Sequence, residues 1–237
     1  MRLSILLLVI LCCYGCHPPT ERMTEYEIHG IDISHYQAQI QWDRIAQQNI
    51  HFAFVKASEG ESLHDSLYCH NWAELARVGI KRGAYHFFHP SLSIEKQVQN
   101  FCEQVDLQAG DLPPVLDVEV TGGRSAASIV AGVRYWLTAI EAHYQIRPIL
   151  YSNYNFYRRY LAEAFPDHPV WIARYSSRVP DLPRGQNWAF WQYGNRGQIQ
   201  GIDGDVDFNV FRGSRSDLEK LCLRPHPPTL LSYRFNQ

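Results

Sequence analysis

Short apolar runs rich in β-branched and aromatic residues recur along the chain, and in its first two thirds they alternate with patterns of helical period. The runs cover residues 28–33, 52–55, 84–88, 115–118, 149–151, 170–173, 189–192 and 206–208. Two stripes of apolar residues at helical spacing lie between the early runs, from Ile94 to Val105 and from Ile129 to Ile140. Each stripe predicts a helix docked on a sheet, with Ser93 and Ser125 as the caps.

Alternation of strands and helices predicts a mainly parallel sheet with right-handed crossovers, because the apolar runs are buried on both faces. Eight candidate strands in one modest domain favour a closed barrel over an open sheet. The rhythm breaks after residue 173, since the stretches 174–188 and 193–205 carry prolines and glycines that disfavour long helices. We therefore predict five βα units, then strands joined mostly by loops, and a closing helix at 216–221.

Composition narrows the class of protein. A chain of 237 residues that is 46% hydrophobic can build one sizeable core. The net charge of -2 gives no electrostatic basis for binding nucleic acid, which normally requires a basic face. Fourteen Tyr and six Trp suit sugar ligands, although core packing is the simpler explanation for any single aromatic residue.

The N-terminus has the organisation of an export signal. Arg2 precedes an apolar run at 3–11, which is too short for an ordinary membrane span and ends before Gly15 and Cys16. Gly15-Cys16 also resembles a lipoprotein processing site, with Cys13 where an aliphatic residue is usual. We predict a signal peptide at 1–16, a tether at 17–25, the barrel at 26–222 and a Pro-rich tail at 223–237. Lipidation of Cys16 and simple cleavage both stay open, so the expected location is the cell envelope or the medium.

Three cysteines remain in the folded part if the first three belong to the signal. Cys69 precedes one predicted helix, Cys102 lies within the next, and Cys222 is near the end. An odd number allows at most one disulfide, and a bridge between Cys69 and Cys102 stays open because sequence does not give the geometry.

Acidic residues mark the predicted carboxyl ends of several strands, the face on which barrels of this type carry their active sites. They are Asp32, Asp117, Glu119 and Asp207. Asp32 and Asp207 should be close, because the first and last strands of a closed barrel are neighbours. Asp117 and Glu119 are two apart on a predicted strand, so their side chains point the same way about 6.6 Å apart along the backbone. Crowded carboxylates raise the proton affinity of at least one, as hydrolysis of a glycosidic bond requires.

Eight fragments occur in an order that resembles glycoside hydrolase family 25, the Chalaropsis-type lysozymes. They are Gly-Ile-Asp-Ile-Ser at 30–34, Phe-Val-Lys-Ala-Ser-Glu-Gly at 54–60, Gly-Ala-Tyr-His-Phe at 83–87, Leu-Asp-Val-Glu at 116–119, Leu-Tyr-Ser-Asn at 150–153, Trp-Ile-Ala-Arg-Tyr at 171–175, Trp-Gln-Tyr at 191–193 and Val-Asp-Phe-Asn at 206–209. The resemblance covers roughly residues 30–221. It implies an incomplete TIM-like (β/α)5(β)3 barrel, single-domain and α/β, which agrees with the break in rhythm.

The same resemblance implies cleavage of the β-1,4 bond after N-acetylmuramic acid in peptidoglycan, with retention of configuration. It makes Glu119 the general acid. Asp117 becomes the assisting carboxylate, either stabilising the oxocarbenium-like state or orienting the acetamido group of the substrate. Asp32 and Asp207 would shape the subsite, and the groove would be lined by Tyr85, Tyr151, Arg174 and Trp191. The segment 194–205 is expected as an insertion at the groove edge.

Other polar residues near strand ends have simpler explanations. Lys56 and Glu59 fit the rim of a site or an ion pair equally well. His86 and His89 flank the end of the third strand, but a metal would need a further ligand at suitable spacing and the sequence shows none. We therefore predict no bound metal. We also expect no cofactor, and we expect the protein to be a monomer.

Two alternatives to a muramidase stay open. A catalytically silent glycan-binding module could use the same scaffold, although the presence of all four acids and of the groove aromatics argues against it. A hydrolase of another N-acetylated glycan, such as chitin, would carry similar carboxylates.

Overall fold

The computed structural model describes residues 22–225, in which each early strand leads into a helix that returns along the outside of a barrel. The strands are β1 (Ile28–Ile33), β2 (Phe52–Glu59), β3 (Leu63–His64), β4 (Lys81–Phe87), β5 (Val115–Asp117), β6 (Ile149–Asn153), β7 (Val170–Ala173), β8 (Phe190–Gly197) and β9 (Val206–Phe211). The helices are α1 (Trp42–Ile45), α2 (Tyr68–Val78), α3 (Ile94–Gln104), α4 (Ala126–Tyr144), α5 (Tyr154–Phe156) and α6 (Arg215–Leu221). A π-helical turn, Tyr157–Leu161, continues α5, and 3-10 turns occupy His35–Gln37 and Pro183–Gly185.

The strands close into a barrel in the order β1-β9-β8-β7-β6-β5-β4-β2, with β2 also paired to β1 and with β3 added as a short antiparallel edge on β2. Neighbouring barrel strands are parallel except at β9, which is antiparallel to both β8 and β1. The predicted α/β barrel of five βα units and three further strands is confirmed. The parallel direction expected for the last strand was wrong, because the link from β8 to β9 is too short for a crossover and returns as a hairpin.

Aromatic rings fill the inside of the barrel. Phe54 stacks on Trp171 with ring centroids 4.3 Å apart, and Phe190 meets Phe54 edge-on at 5.1 Å. A Cβ atom on Gly30 would lie 2.4 Å from the Phe52 ring, and one on Gly83 would lie 2.6 Å from Phe54. Glycine therefore stands at both positions because the rings use the space that a side chain would occupy.

The predicted helices α3 and α4 cover one side of the barrel. Ser93 Oγ accepts from the Lys96 backbone N–H, and Ser125 Oγ accepts from that of Ser128, so both predicted caps are confirmed. The apolar stripe of α4 is fully buried against the sheet, and it consists of Ile129, Val133, Trp136, Leu137 and Ile140.

No long helix covers the barrel beside β8 and β9 in the described part of the chain. The Tyr26 ring packs there on Trp188 and Trp191, with centroids 5.7 and 6.2 Å away. Ile199 and Ile202 from the link between β8 and β9 are also buried. The predicted insertion at 194–205 is therefore partly strand, since β8 extends to Gly197 through two bulges, and the remainder covers apolar surface.

The predicted signal, tether and tail lie at the two ends of the chain, and the three cysteines of the folded part lie on or near α2, α3 and α6. The predicted signal with Cys16 and most of the tail lie outside the described residues. Of the predicted tether, Met23 is half-buried against the core. Cys69 lies inside α2 rather than before it, and Cys69, Cys102 and Cys222 are free thiols. Within residues 22–225, none of the helices has the length and apolarity that crossing a membrane requires.

Candidate active site

Four acidic residues come together at one end of the barrel. Asp32 lies near the end of β1, Asp117 is the last residue of β5, and Glu119 follows on the adjoining loop. Asp207 is the second residue of β9 and reaches the same end because β9 runs in the opposite direction, which places it directly across from Asp32. The predicted cluster is present, but Asp207 begins its strand and Glu119 lies just beyond its strand.

Asp32 and Asp207 form a hydrogen-bonded carboxyl pair. Burial, followed by the nearby Asp207 carboxylate, raises the pKa of Asp32 well above its usual range. Burial also raises the pKa of Asp207 to about 6, although its hydrogen bond with Asp32 works in the opposite direction. Because two carboxylates this close cannot both ionise without repulsion, the pair keeps one proton near neutral pH.

Two side-chain amides hold Asp32 in place. Asp32 Oδ2 accepts from Asn209 Nδ2 at 2.6 Å and from Gln192 Nε2 at 2.9 Å. Trp171 Nε1 donates to Asn209 Oδ1 at 2.8 Å, and this contact fixes which way the Asn209 amide points, because an indole N–H can only donate. Trp171 therefore orients the Asn209 amide that donates a hydrogen bond to Asp32.

Asp117 and Glu119 form the second acidic pair. Burial raises the pKa of Asp117 well above its usual range, the Glu119 charge raises it further, and Lys56 lowers it. Burial raises the pKa of Glu119 too, and its hydrogen bond with Tyr151 opposes that rise. Asp117 is 6% exposed, and its Oδ1 atom has no hydrogen-bond partner among the described residues. Glu119 is the more accessible of the two carboxyl groups.

Three tyrosines surround the carboxylates. Tyr151 and Tyr175 donate their hydroxyl protons to Gln192 Oε1 at 3.0 and 3.1 Å. Burial and then the charge of Asp32 raise the pKa of Tyr85, with Asp117 and Asp207 adding to the rise. Tyr85 therefore faces both acidic pairs, and the predicted positions of Tyr85 and Tyr151 at the site agree with this geometry.

A single ion-paired network borders Asp117. Lys56 Nζ donates to Glu59 Oε2 at 2.6 Å, and Glu59 Oε1 lies 2.9 Å from His89 Nε2. The predicted ion pair is therefore present, and the Lys56 charge also lowers the pKa of Asp117. Lys56 is 8% exposed, so solvent screens this charge little.

Of the two remaining residues predicted to line the groove, Arg174 lies at the rim of the site and Trp191 lies away from it. Arg174 follows β7 at the rim, where its guanidinium lies 4.5 Å from the centre of the Tyr154 ring. Trp191 is fully buried outside the barrel, and its Nε1 donates to the Arg174 carbonyl at 2.9 Å. The structure does not bring Trp191 to the carboxylates, since side chains alternate along β8 and its neighbour Gln192 takes the inward position.

The buried His86 side chain makes contacts that hold the fold together. Its Nδ1 lies 2.8 Å from Ser58 Oγ, its Nε2 lies 3.2 Å from Gln97 Oε1, and its ring stacks on Trp136 at 5.9 Å. Burial lowers the pKa of His86 to about 3, so the ring is neutral. In residues 22–225 no group of three or more His, Cys, Asp or Glu side chains is arranged to hold a metal ion.

Sequence reasoning missed Gln192, Asn209 and Tyr175 as site residues. All three lie in the fragments that carried the family resemblance, and Gln192 is adjacent to the predicted Trp191. Period-two alternation allows only one of Trp191 and Gln192 to face inward, and nothing in the local sequence selects which. The one available signal was an amide side chain inside a mostly apolar strand, which must find hydrogen-bond partners where it is buried.

The arrangement supplies protonated and ionised carboxyl groups side by side in one buried cluster. A protonated carboxyl can donate its proton to a leaving oxygen, while an adjacent carboxylate supports developing positive charge. Acid-catalysed cleavage of an acetal needs both functions.

Comparisons with known proteins agree with this chemistry. Residues 31–202 match the family model "Glycosyl hydrolases family 25". The chain is 44% identical over 199 residues to the uncharacterized protein YegX of Escherichia coli (strain K12), covering 82% of this chain and 73% of YegX. It is 31% identical over 209 residues to Lysozyme M1 of Streptomyces globisporus, covering 82% of this chain and 71% of that protein.

A solved structure shares the fold as well. A family 25 glycosyl hydrolase from Bacillus anthracis superposes with a TM-score of 0.81 at 32% identity, and the match covers 87% of this chain and 98% of that one. The similarity therefore extends over most of the described barrel.

Proposed function

The chain belongs to glycosyl hydrolases family 25 and is a lysozyme-type glycoside hydrolase that acts on peptidoglycan, and we propose that Glu119 and Asp117 carry out its reaction. The bond cleaved is the β-1,4 linkage between N-acetylmuramic acid and N-acetylglucosamine. The observation that carries the proposal is the buried Asp117–Glu119 pair, in which both pKa values are raised.

Glu119 acts as the general acid in this proposal. The pair titrates as a unit and holds one proton, and Glu119 is the carboxyl group that a glycosidic oxygen can reach because Asp117 is more deeply buried. Donation of that proton to the leaving oxygen breaks the bond as the sugar develops positive charge.

Asp117 acts as the assisting carboxylate. Its Oδ1 atom makes no hydrogen bond within the described residues, so it can accept from an acetamido N–H of the substrate or face the cationic sugar. The Lys56 charge favours the ionised form of Asp117, against the effect of burial. Asp32 and Asp207 form the opposite wall of the subsite, and Tyr85, Tyr151 and Arg174 bind the sugar.

We also propose where the enzyme works, its oligomeric state and how it is attached or released. The enzyme is exported and works in the envelope or outside the cell as a monomer, either attached through lipidated Cys16 or released by cleavage. Radiolabelled palmitate incorporation into the full chain, but not into Cys16→Ser, would separate the two forms.

Digestion of purified peptidoglycan by the protein, with mass analysis of the new reducing ends, tests the central claim. Fragments that end in reducing N-acetylmuramic acid are expected. Reducing N-acetylglucosamine would exclude muramidase specificity, and release of chitin oligomers in preference to peptidoglycan fragments would support the chitin alternative. Binding without any product from folded protein would identify a silent glycan-binding module.

A further inference from the structure

Two arginine side chains share one tyrosine ring at the rim of the barrel. The guanidinium carbons of Arg174 and Arg158 lie 4.5 and 5.3 Å from the centre of the Tyr154 ring. The ring itself is held in place, because the Tyr154 hydroxyl donates to the Asp181 carbonyl at 2.8 Å. A guanidinium that stacks on an aromatic face keeps the N–H groups at its edge available for a planar anion such as a carboxylate.

Neither of these two positive charges is neutralised by a neighbouring side chain. No carboxylate in the described part of the chain forms an ion pair with Arg158 or Arg174, whereas Arg184 pairs with Glu163 at 2.9 Å. Arg174 donates to the Val179 carbonyl at 3.3 Å, which leaves its other N–H groups available. Because the two like charges repel each other, an anion bound between them would be stabilised by both.

The shared ring lies next to the proposed catalytic centre. Tyr154 and Arg174 each directly follow a residue of the last rung between β6 and β7. Asp117 pairs with Tyr151, which lies two residues before the end of β6. The ring therefore lies roughly 7–10 Å beyond that pair, toward the open end of the barrel. A peptide carried by a sugar at the centre spans this distance with two or three extended residues, at about 3.3 Å each.

We infer that Arg158 and Arg174 bind a carboxylate of the stem peptide, the peptide attached to muramic acid. This inference rests on the proposed function and adds to it a contact with the substrate outside the glycan. Stem peptides bring negative charge to a site that already holds four acidic side chains, and a cationic flank offsets this repulsion. Residues 124–184 contain eight arginines and four acidic residues, although the whole chain has a net charge of -2. A neutral glycan such as chitin has no group for this pair.

Neutralising the carboxylates of the stem peptide tests the inference. Soluble peptide-bearing glycan strands are digested before and after their carboxylates are converted to methylamides with carbodiimide and methylamine. Amidation should lower kcat/KM of the wild type about fivefold, mainly through KM, because an exposed ion pair is lost. Arg158→Gln should lose about threefold on untreated strands, and amidation should then cost it less than about twofold, because most of the interaction is already absent. Arg158 is the residue to change, because Arg174 also has a proposed contact with the sugar.

Arg159→Gln is the matched control. Arg159 is also exposed, but its guanidinium carbon lies 5.2 Å from the centre of a different ring, that of Tyr160. This variant removes the same charge and should respond to amidation as the wild type does. Circular-dichroism melting establishes that each variant is folded.

Three results would overturn the inference. Amidation could leave the wild type unchanged, it could lower kcat/KM by the same factor in the wild type and in Arg158→Gln, or Arg159→Gln could behave like Arg158→Gln. Mass analysis of the wild-type products tests the proposed function separately, because the reducing sugar that is formed does not depend on the charge of the peptide.

Discussion

Asp32 and Asp207 occupy directly paired positions on the antiparallel strands β1 and β9, so two carboxyl groups from distant parts of the chain meet across one rung of the sheet. Like charges at directly opposed positions destabilise a sheet. This pair avoids the full repulsion by sharing a proton, and burial raises the pKa values of both residues. The barrel therefore retains a destabilising contact at the end where it carries its chemistry.

Asp207→Asn should stabilise the fold at neutral pH while impairing activity. A folded-state pKa of about 6, above the unfolded value of 3.8, means that Asp207 favours folding below pH 4 and loses that advantage as the pH rises through 6. The amide cannot ionise and can still hydrogen-bond to Asp32. We expect the free energy of unfolding to rise by about 1–3 kcal/mol at pH 7.5 and to change little at pH 4.

Urea unfolding at the two pH values measures this difference. Asp203→Asn is the matched control, because Asp203 is exposed on the link between β8 and β9 and should show no such gain. A variant that is no more stable than wild type at pH 7.5 would show that the pair does not strain the fold.

Glu119→Gln should abolish turnover while glycan binding survives. General acid catalysis contributes roughly 10²–10⁴-fold, so kcat for release of reducing ends should fall by that factor with KM changed by only a few-fold. Glu163→Gln removes an exposed glutamate on another part of the surface and is the control for loss of charge. Undiminished kcat in the Glu119 variant would reassign the acid.

The periodicity of apolar residues along the sequence was sufficient to predict the barrel. The predicted runs at 28–33 and 170–173 coincide with β1 and β7, and the stripe that begins at Ile129 lies inside α4. Short strand β3 was missed because Leu63 and His64 are both exposed and leave no apolar pattern. The direction of β9 was also missed, since hydrophobic alternation is the same whichever way a strand runs.

The acidic residues of the site could be predicted from the sequence, but their hydrogen-bond partners could not. A carboxylate at the end of an apolar run is conspicuous, whereas Gln192 and Asn209 are neutral residues whose importance depends on contacts between strands far apart in sequence. Trp191 shows the limit most clearly, because alternation identifies two faces of β8 but not which face points inward. That choice follows from pairing with β7 and β9.

Lys56→Met should move the acidic limb of the kcat/KM profile to higher pH. The Lys56 charge lowers the pKa of Asp117, so its loss leaves burial and Glu119 unopposed and Asp117 ionises later. A shift of about one pH unit is expected for removal of a nearby opposite charge. Glu59→Gln is the informative counterpart, because the Glu59 charge raises the pKa of Asp117 and its loss should move the limb the other way. Shifts of the same sign in both variants would mean that the network acts through packing alone.

His86→Gln should reduce the acid sensitivity of the fold without removing catalysis. The pKa of His86 is about 3 in the folded protein against 6.5 for the ordinary side chain, so unfolding takes up a proton and stability falls as the pH drops from 6.5 towards 3. This single group contributes about 1.4 kcal/mol for each pH unit in that window. Glutamine keeps polar atoms near Ser58 and Gln97 but cannot gain the charge.

Urea unfolding at pH 4.5 and 7 checks the slope, and kcat on peptidoglycan at pH 7 checks the site. The variant should be less stable than wild type at pH 7, because the stack on Trp136 is lost, and should lose less stability on acidification. His64→Gln is the control, since His64 is exposed on β3 and should leave both quantities unchanged. If the His86 variant keeps the wild-type slope, another buried group causes the acid sensitivity. If its kcat collapses while it remains folded, His86 belongs to the catalytic machinery.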